Sequence, residues 1–428
     1  MYDANSSNLS FDYPFSLELL PKTAYMVGGA VRDAILCRDA KYEVSTREKF
    51  RVSTREYLDL DFVLPCDAVK VARKIAKHYK AGFVLLDPQR QIARVVFPEA
   101  TVDFAQQSGE SIETDLHRRD FTVNAIAYNP HTQEIIDPLQ GCADLERRMM
   151  KMISPANLQD DPLRLMRAYR QAAQLGFTIE TDTQTAIRSL ASHITEVAAE
   201  RVRVEINYLL LSSQGTPWIT RAWEDNLLAP FFKFATSESF AKLTAVDDSA
   251  VKLAENWQQL GVKLQEYVRD TVKSTWLSIA KLACLVNPDV EVAEIELQKL
   301  TYSRAEIKGV TTALKLFPQL KLSHMSLREQ YFFFQEAGFV FPATAVLAVG
   351  HNILVEAIAP LIDRYLNPDD LVSHPTPLLS GKELIIALGI PASPLLGKLL
   401  MEIAVGQVEG KISTPAEAIA FARQLLEG

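Results

Sequence analysis

Between residues 24 and 153 short runs of alternating apolar and polar residues trade places with stretches whose apolar positions recur every three or four residues. The first pattern marks half-buried strands and the second amphipathic helices. Tyr25-Met26-Val27 reads as a strand ending at Gly28-Gly29, with a helix opening at Ala30. Leu60-Asp61-Phe62-Val63-Leu64 has strand character, the run 95–105 (VVFPEATVDFA) supplies two strands, and Asn124 to Asp137 supplies at least one more. From Pro162 the period becomes helical, with Leu163, Leu165, Met166, Tyr169, Ala172 and Ala173 forming one apolar stripe. After residue 155 there is almost no strand signal. An α/β head followed by a long helical array is the predicted architecture. One oddity interrupts the head: VSTRE occurs twice within residues 43–59, eight residues apart. The repeat is too short for a solenoid unit and fits a local duplication forming a surface loop or hairpin, with a role for Arg47, Lys49, Arg51 and Arg55 in gripping RNA the less favoured reading.

Composition adds bounds. A chain of 428 residues has room for two to four domains with their own cores. The first fifteen residues carry no basic region followed by an apolar run, and no segment approaches an uninterrupted membrane span, so a cytoplasmic protein without a membrane partner is expected. Cys37, Cys66, Cys142 and Cys284 are scattered without a CxxC pair, which argues against a zinc ribbon or a disulfide framework. Net charge is −8, yet arginines crowd residues 118–203 while acidic residues gather near 247–248 and 291–296. Phosphate binding depends on local charge, so an acidic body is compatible with a basic cleft for RNA.

The candidate chemistry begins at the glycine turn. Without a Cβ at Gly28 or Gly29 the backbone is free to bend sharply and bring N–H groups to a phosphate, the following helix adds its positive end, and Arg32 lies one turn inside. Two residues apart on a strand, Asp59 and Asp61 project to one side, where they repel unless a cation sits between them. Oxygen ligands with room for phosphate oxygens and water suit Mg²⁺. A triphosphate cradle beside a metal-binding aspartate pair is what nucleotidyl transfer requires. Asp103, in TVDFA, is a candidate third carboxylate for the metal.

DDPLR (160–164) is the second constellation. With Pro162 in the first helical turn, Asp160 reads as a helix cap, while Asp161 and Arg164 are three apart and share a face. An acceptor-only and a donor-only side chain together match the Watson–Crick edge of cytosine or adenine. Arg167 and Arg170 continue the same spacing and fit a polyphosphate.

These blocks, GGAVRDAIL, DLDFVLP, RRDFTVNAIAYNP, DPLQGCADL, DDPLRLMRAYRQAAQLGF and ERVRVE, occur in an order that resembles the class II tRNA nucleotidyltransferases (CCA-adding enzymes) and the related bacterial poly(A) polymerases. SGKELIIALGIPASPLLGKLL (380–400) is similar to the family's tail more loosely. The resemblance implies a polymerase-β-like α/β nucleotidyltransferase head over residues 1–153 with an insertion near 40–57, a helical neck over 154–215, a helical body over 216–375 and a tail over 376–428 that contacts tRNA. It implies that Asp59 and Asp61 hold two Mg²⁺ ions while a primer 3′-hydroxyl attacks the α-phosphate of CTP or ATP. Asp161 and Arg164 then select the base. Arg118 or Arg119, Asp120 and Asn124 orient the nucleotide and read its sugar. The family usually has Glu where this chain has Asp160. For Glu200, Arg201, Arg203 and Glu205 of ERVRVE the expectation is pairing with one another and with the selecting helix. A poly(A) polymerase shares the head but usually carries basic extensions, and a non-catalytic RNA-binding protein on the same fold would not need both aspartates and the selecting pair. Complete CCA-adding relatives generally have a longer flexible element between the positions of Asp103 and Arg118, where this chain has about fifteen residues. Partial addition, of A alone or CC alone with a second nucleotidyltransferase completing the end, is therefore expected; the alternative is that the VSTRE insertion replaces the missing element and full CCA addition survives.

Overall fold

The computed structural model describes residue 9 and residues 11–38, 58–270, 272–321 and 324–427. The duplicated VSTRE segment lies outside the described residues apart from its last positions, Leu58 and Asp59. The chain divides into two compact units, one of residues 1–198 with 221–227, the other of residues 199–220 with 228–428.

The first unit is built on a mixed seven-stranded sheet. Its elements in order are β1 (Tyr25–Val27), α1 (Gly29–Arg38), β2 (Leu58–Leu64), α2 (Ala68–Tyr79), β3 (Gly82–Asp87), β4 (Ile92–Val96), β5 (Ala100–Gln106), α3 (Ile112–Leu116), β6 (Ala127–Tyr128) and β7 (Ile135–Ile136). The strands lie in the order β3-β4-β5-β2-β1-β6-β7. Only β2 and β5 run parallel, which requires a crossover, and α2 with the β3–β4 hairpin supplies it. Alternation gives the sheet two different faces. Leu60, Phe62, Val102 and Phe104 are buried on one, where Phe62 stacks on Phe104 and both contact Phe15. Tyr79 at the end of α2 meets the same aromatic cluster through Phe97, which places α2 on this face. The aspartates of β2 and β5 occupy the other.

Beyond the sheet follow α4 (Gly141–Glu146), β8 (Met149–Met150), α5 (Pro155–Asp160), α6 (Leu163–Leu175), β9 (Thr178–Ile179) and α7 (Thr181–Leu190). All six residues of the expected apolar stripe of α6 are buried. Two details differ from the sequence reading. β8 pairs in parallel with β9, a strand past residue 155 too short to leave a periodic signal. Asp160 ends α5, which Ser154 caps with Pro155 in the first turn, and so does not cap α6. Pro162 forces the break, because it has no N–H to donate and disfavours helical geometry at Asp161, which is extended (φ −139°, ψ 92°). Arg221–Leu227 also belongs to this unit, through Asp225. That carboxylate is 1% exposed and accepts from the Tyr169 hydroxyl, Gln184 (2.8 Å) and Arg188 (2.6 Å). Arg188 is half exposed but anchored there.

The second unit is mostly helical: α8 (Ala199–Leu211), α9 (Gly215–Glu224, whose last residues count with the first unit), α10 (Ser237–Asn256) and α11 (Gln258–Gln265) precede a hairpin, β10 (Tyr267–Arg269) and β11 (Val272–Thr275). Then come α12 (Trp276–Ala283), α13 (Val290–Lys299), α14 (Arg304–Leu316), α15 (Leu327–Ala337), α16 (Phe341–Gly350) and α17 (Val355–Leu366). The hairpin was not foreseen. Lys281 of α12 is buried and pairs with Asp247 at 3.0 Å. The run Leu327–Gly350 is, against the sequence reading, long and apolar enough to cross a membrane by length and composition alone, but 67% of its most apolar window is buried inside the protein. The last helices, α18 (Gly381–Leu388), α19 (Pro394–Val408) and α20 (Pro415–Glu427), share a core of their own around Leu384, Leu399, Ile403 and Ala418. Arg203 of α8 pairs weakly with Glu200 (3.9 Å) and donates to the carbonyl of Thr301 (2.7 Å), both in this unit.

Candidate active site

β2 carries Asp59 and Asp61 to the sheet face opposite the aromatic core. Gly28 closes over them: it leaves β1 at φ +76°, and a Cβ built there would stand 3.2 Å from Oδ2 of Asp61. Both the left-handed backbone and the approach call for glycine. Gly28→Ala is accordingly expected to cost about 1 kcal/mol or more in stability and to lower kcat/KM by crowding Asp61, as denaturant titration and steady-state kinetics would show. Gly29 is the first residue of α1, one position earlier than the sequence suggests, so the helix start lies directly beside the aspartates.

The third candidate carboxylate stands next to the pair. Asp103 of β5 is the register partner of Asp61 across the parallel β2–β5 ladder. It is held by Arg94 of β4 through two bonds, Nε to Oδ1 at 2.7 Å and Nη2 to Oδ2 at 2.8 Å. Thr101 donates to Asp59 at 2.7 Å. Burial, reinforced by the Asp103 and Asp59 carboxylates, pushes the Asp61 carboxyl up to about 6, despite Arg119 and Arg94 nearby. Among the described residues no group of three His, Cys, Asp or Glu side chains forms a ready-made cation cage. The donor set is instead two carboxylates on one face with the third committed to an arginine. Mg²⁺ suits such a set, since it is commonly held by one or two carboxylates with substrate phosphates and water completing its shell.

Around this centre four of the remaining predicted residues, Arg32, Asn124, Asp120 and Arg167, form one hydrogen-bonded chain. Arg32 donates to Asn124 Oδ1 (2.8 Å) and to Asp33 (2.7 Å). Asn124 donates to Asp120 Oδ1 (2.9 Å) and to Gln171 of α6 (2.8 Å). Asp120 is buried with both oxygens engaged, Oδ1 also by the Phe121 N–H and Oδ2 by Arg167 at 2.9 Å. Burial works to raise its pKa, but Arg167, Asn124 and Phe121 outweigh it and hold the carboxyl down at about 2. Asp120 therefore faces protein donors, not an open sugar pocket, and Arg167 is committed to it. Arg119 pairs with Asp115 of α3 at 3.0 Å, while Arg118 is exposed. Arg164 places Nη1 on the carbonyls of Arg118 (2.9 Å) and Asn157 (2.8 Å), which leaves its other donors unused by protein among the described residues. Asp161 accepts from Leu163 N–H at 3.3 Å. Arg170 reaches Gln174 at 2.7 Å.

The sequence reading did not foresee Arg94, Thr101, Asp115, Asn157 or Gln171. Asn157 donates to the carbonyls of His117 and Arg119, both at 2.7 Å, and so fixes the loop that carries Arg118. Only Gln171 had a signal, four residues after Arg167 on the same helix face.

The description "Poly A polymerase head domain" matches residues 24–151, and "tRNA nucleotidyltransferase domain 2" matches residues 270–422. The CC-adding tRNA nucleotidyltransferase of Synechocystis sp. is 48% identical over 423 residues, covering 98% of this chain and 97% of that protein. This chain belongs to the tRNA nucleotidyltransferase family. The CC-adding member from Geobacter sulfurreducens is 28% identical over 92% of this chain and 90% of its own, and the A-adding one from Deinococcus radiodurans 26% over 95% and 96%. In fold the chain is similar to a CCA-adding enzyme solved with CTP (TM-score 0.69, 22% identity, 95% of this chain and 91% of that one). It is similar also to the Thermotoga maritima CCA-adding enzyme complexed with tRNA (TM-score 0.66, 22% identity, 94% and 91%). As a family member it is a nucleotidyltransferase, and the expected α/β head with a mostly helical remainder is the observed architecture.

Proposed function

We propose that this chain is a cytoplasmic, Mg²⁺-dependent CC-adding enzyme, transferring two cytidylates from CTP to the 3′ end of tRNA and leaving the terminal A to a second nucleotidyltransferase. The observation that carries the restriction to partial addition is the connector between β5 and α3. Only residues 107–111 separate the two elements. Ser111 caps α3 through Thr114 N–H at 3.3 Å, and the Asp115 carboxylate ties back to Ser108 N–H at 3.0 Å and to Arg119. A segment this short and this bonded offers no long mobile element of the kind that resets the pocket from CTP to ATP in complete CCA-adding relatives. The 48% identity to a CC-adding relative over nearly the whole chain favours CC over A.

In the proposed reaction the primer 3′-hydroxyl oxygen forms a bond to the α-phosphorus, the bond from that phosphorus to the β-phosphate bridging oxygen breaks, and pyrophosphate leaves. Asp59 and Asp61 hold the metal, with Asp103 next to them balanced by Arg94. When bound, Mg²⁺ supplies positive charge to the attacking and leaving oxygens. Gly28, Gly29 and the α1 start bind phosphate oxygens; Arg32, Arg118, Arg119 and Arg170 line the same approach. Asp120 and Asn124 hold Arg167 and Arg32 in place. Asp161, with the Arg164 donors not committed to carbonyls, reads the cytosine edge. The deciding assay offers tRNAs ending before C74, after C74 and after C75 to the purified protein with each triphosphate in turn. Two additions from CTP and none from ATP are expected; efficient addition of A76 would overturn the reading.

A further inference from the structure

We propose that α2 and the edge strand β3 form a second RNA-binding groove, which holds a single-stranded segment away from the reacting 3′ end. α2 and the residue after it carry Lys70, Arg73, Lys74, Lys77 and Lys80, all exposed, and none has an ion-pair partner among the described residues. In a chain of net charge −8 this is a local reversal of sign. The helix dipole accounts for cations in the last turn, at Lys77 and Lys80, but not for Lys70, Arg73 and Lys74. A helix stabilised only by surface pairs would also alternate them with carboxylates, and none lies between Ala68 and Tyr79.

The cations border a cleft of about 460 Å³ lined by Arg73, Ala76, Lys77, Lys80, Ala81 and Phe83, with no acidic residue among them. Its floor is apolar. Phe83 lies under the Arg73 guanidinium, 5.1 Å from the ring centroid. Leu85, two residues on and on the same face of β3, is 42% exposed. β3 is the outermost strand, so nothing in the sheet covers this side. A cationic wall above an aromatic and aliphatic floor is the combination that binds single strands: phosphates meet the wall while bases stack on the floor. Along a helix, Arg73, Lys77 and Lys80 span about 10 Å, or one to two phosphate steps of an extended strand. Asp59, Asp61 and Asp103 project from the opposite face of the sheet, so an RNA segment in this groove is distinct from the primer end under reaction.

The test uses a fluorescently labelled 12-mer oligouridylate and the full-length chain, with binding followed by anisotropy at several salt concentrations. The combined variant Arg73→Glu, Lys77→Glu, Lys80→Glu is expected to bind at least tenfold more weakly. Its slope of log affinity against log salt should be shallower by about 2, since each lost contact to a single strand removes about 0.7. Phe83→Leu, which keeps an apolar floor but removes the stacking surface, should weaken binding about tenfold with the slope unchanged. Turnover on saturating tRNA should stay within twofold for both variants, which also reports that they fold. Unchanged affinity and slope in the triple variant would overturn the proposal. So would loss of turnover in that variant with its melting temperature unchanged, which would place the groove in the catalytic cycle. A poly-glutamate chain of equal charge competing as well as the oligonucleotide would replace RNA by an acidic protein as the occupant.

Discussion

Replacing Asp61 by alanine is expected to reduce nucleotide addition at least about 10³-fold while tRNA binding persists. The metal site proposed here has two carboxylates to spare for the cation, because Arg94 engages both oxygens of Asp103. Loss of one removes several kcal/mol of transition-state stabilisation, and each 1.4 kcal/mol is about tenfold in rate. Single-turnover incorporation of labelled CTP measures the loss. A variant retaining a tenth of the rate would remove Asp61 from the metal site. The isosteric change Asp61→Asn should have the opposite effect on the fold. With the folded carboxyl at about 6 against 3.8 in the unfolded chain, the native state binds the extra proton between those values. Stability of the metal-free protein therefore falls as pH rises through that window. In EDTA, Asp61→Asn should raise the melting temperature above pH 6 and make little difference below pH 4. Thermal melts at the two pH values separate this from a general packing effect, which would not depend on pH.

Arg164→Ala should damage choice of nucleotide as well as rate. Hydrogen bonds from a charged donor contribute about 1.5–3 kcal/mol, so kcat/KM for CTP should fall by roughly ten- to a hundredfold. Addition of UTP, whose base presents a different donor and acceptor edge, should change far less, and the ratio of the two is the diagnostic quantity. Arg164 also holds the carbonyls of Arg118 and Asn157, so a purely structural role would depress all four triphosphates alike. Arg164→Lys, which keeps the charge but not the planar fork, should recover rate more than selectivity.

Asp59, Asp61, Gly28 and the stripe of α6 were legible because their signals are local. Alternation along one strand, a glycine pair at a strand end and a 3.6-residue period each need only a short window of sequence. The partner of Asp103 was not legible. Arg94 is nine residues away and reaches it only because β4 folds back antiparallel against β5, a pairing that periodicity does not encode. The same holds for Asn157, whose targets lie at His117 and Arg119. Asp120 and Arg167 were both singled out, but for a ligand. That they satisfy each other follows from burial, which makes an unpaired carboxylate costly and is invisible until the loop is placed beside α6. The short β8, β9, β10 and β11 were missed because strands of two to four residues carry too few positions to show a period, and no glycine pair marks their ends as Gly28-Gly29 marks that of β1.

The Asp225 anchor bears on how such enzymes are to be recombined. The chain leaves the first unit after Ala198, returns for Arg221–Leu227 and leaves again, so the catalytic half is not one continuous stretch of sequence. A fragment stopped at residue 198, or a chimera joined at 215, would part Tyr169, Gln184 and Arg188 from their shared acceptor. The damage would fall on α6, the helix that bears Arg164. Exchanges of nucleotide specificity between relatives that transplant residues 1–198 alone would then fail for want of seven residues encoded downstream, and grafts that carry residues 221–227 with them should succeed where those do not.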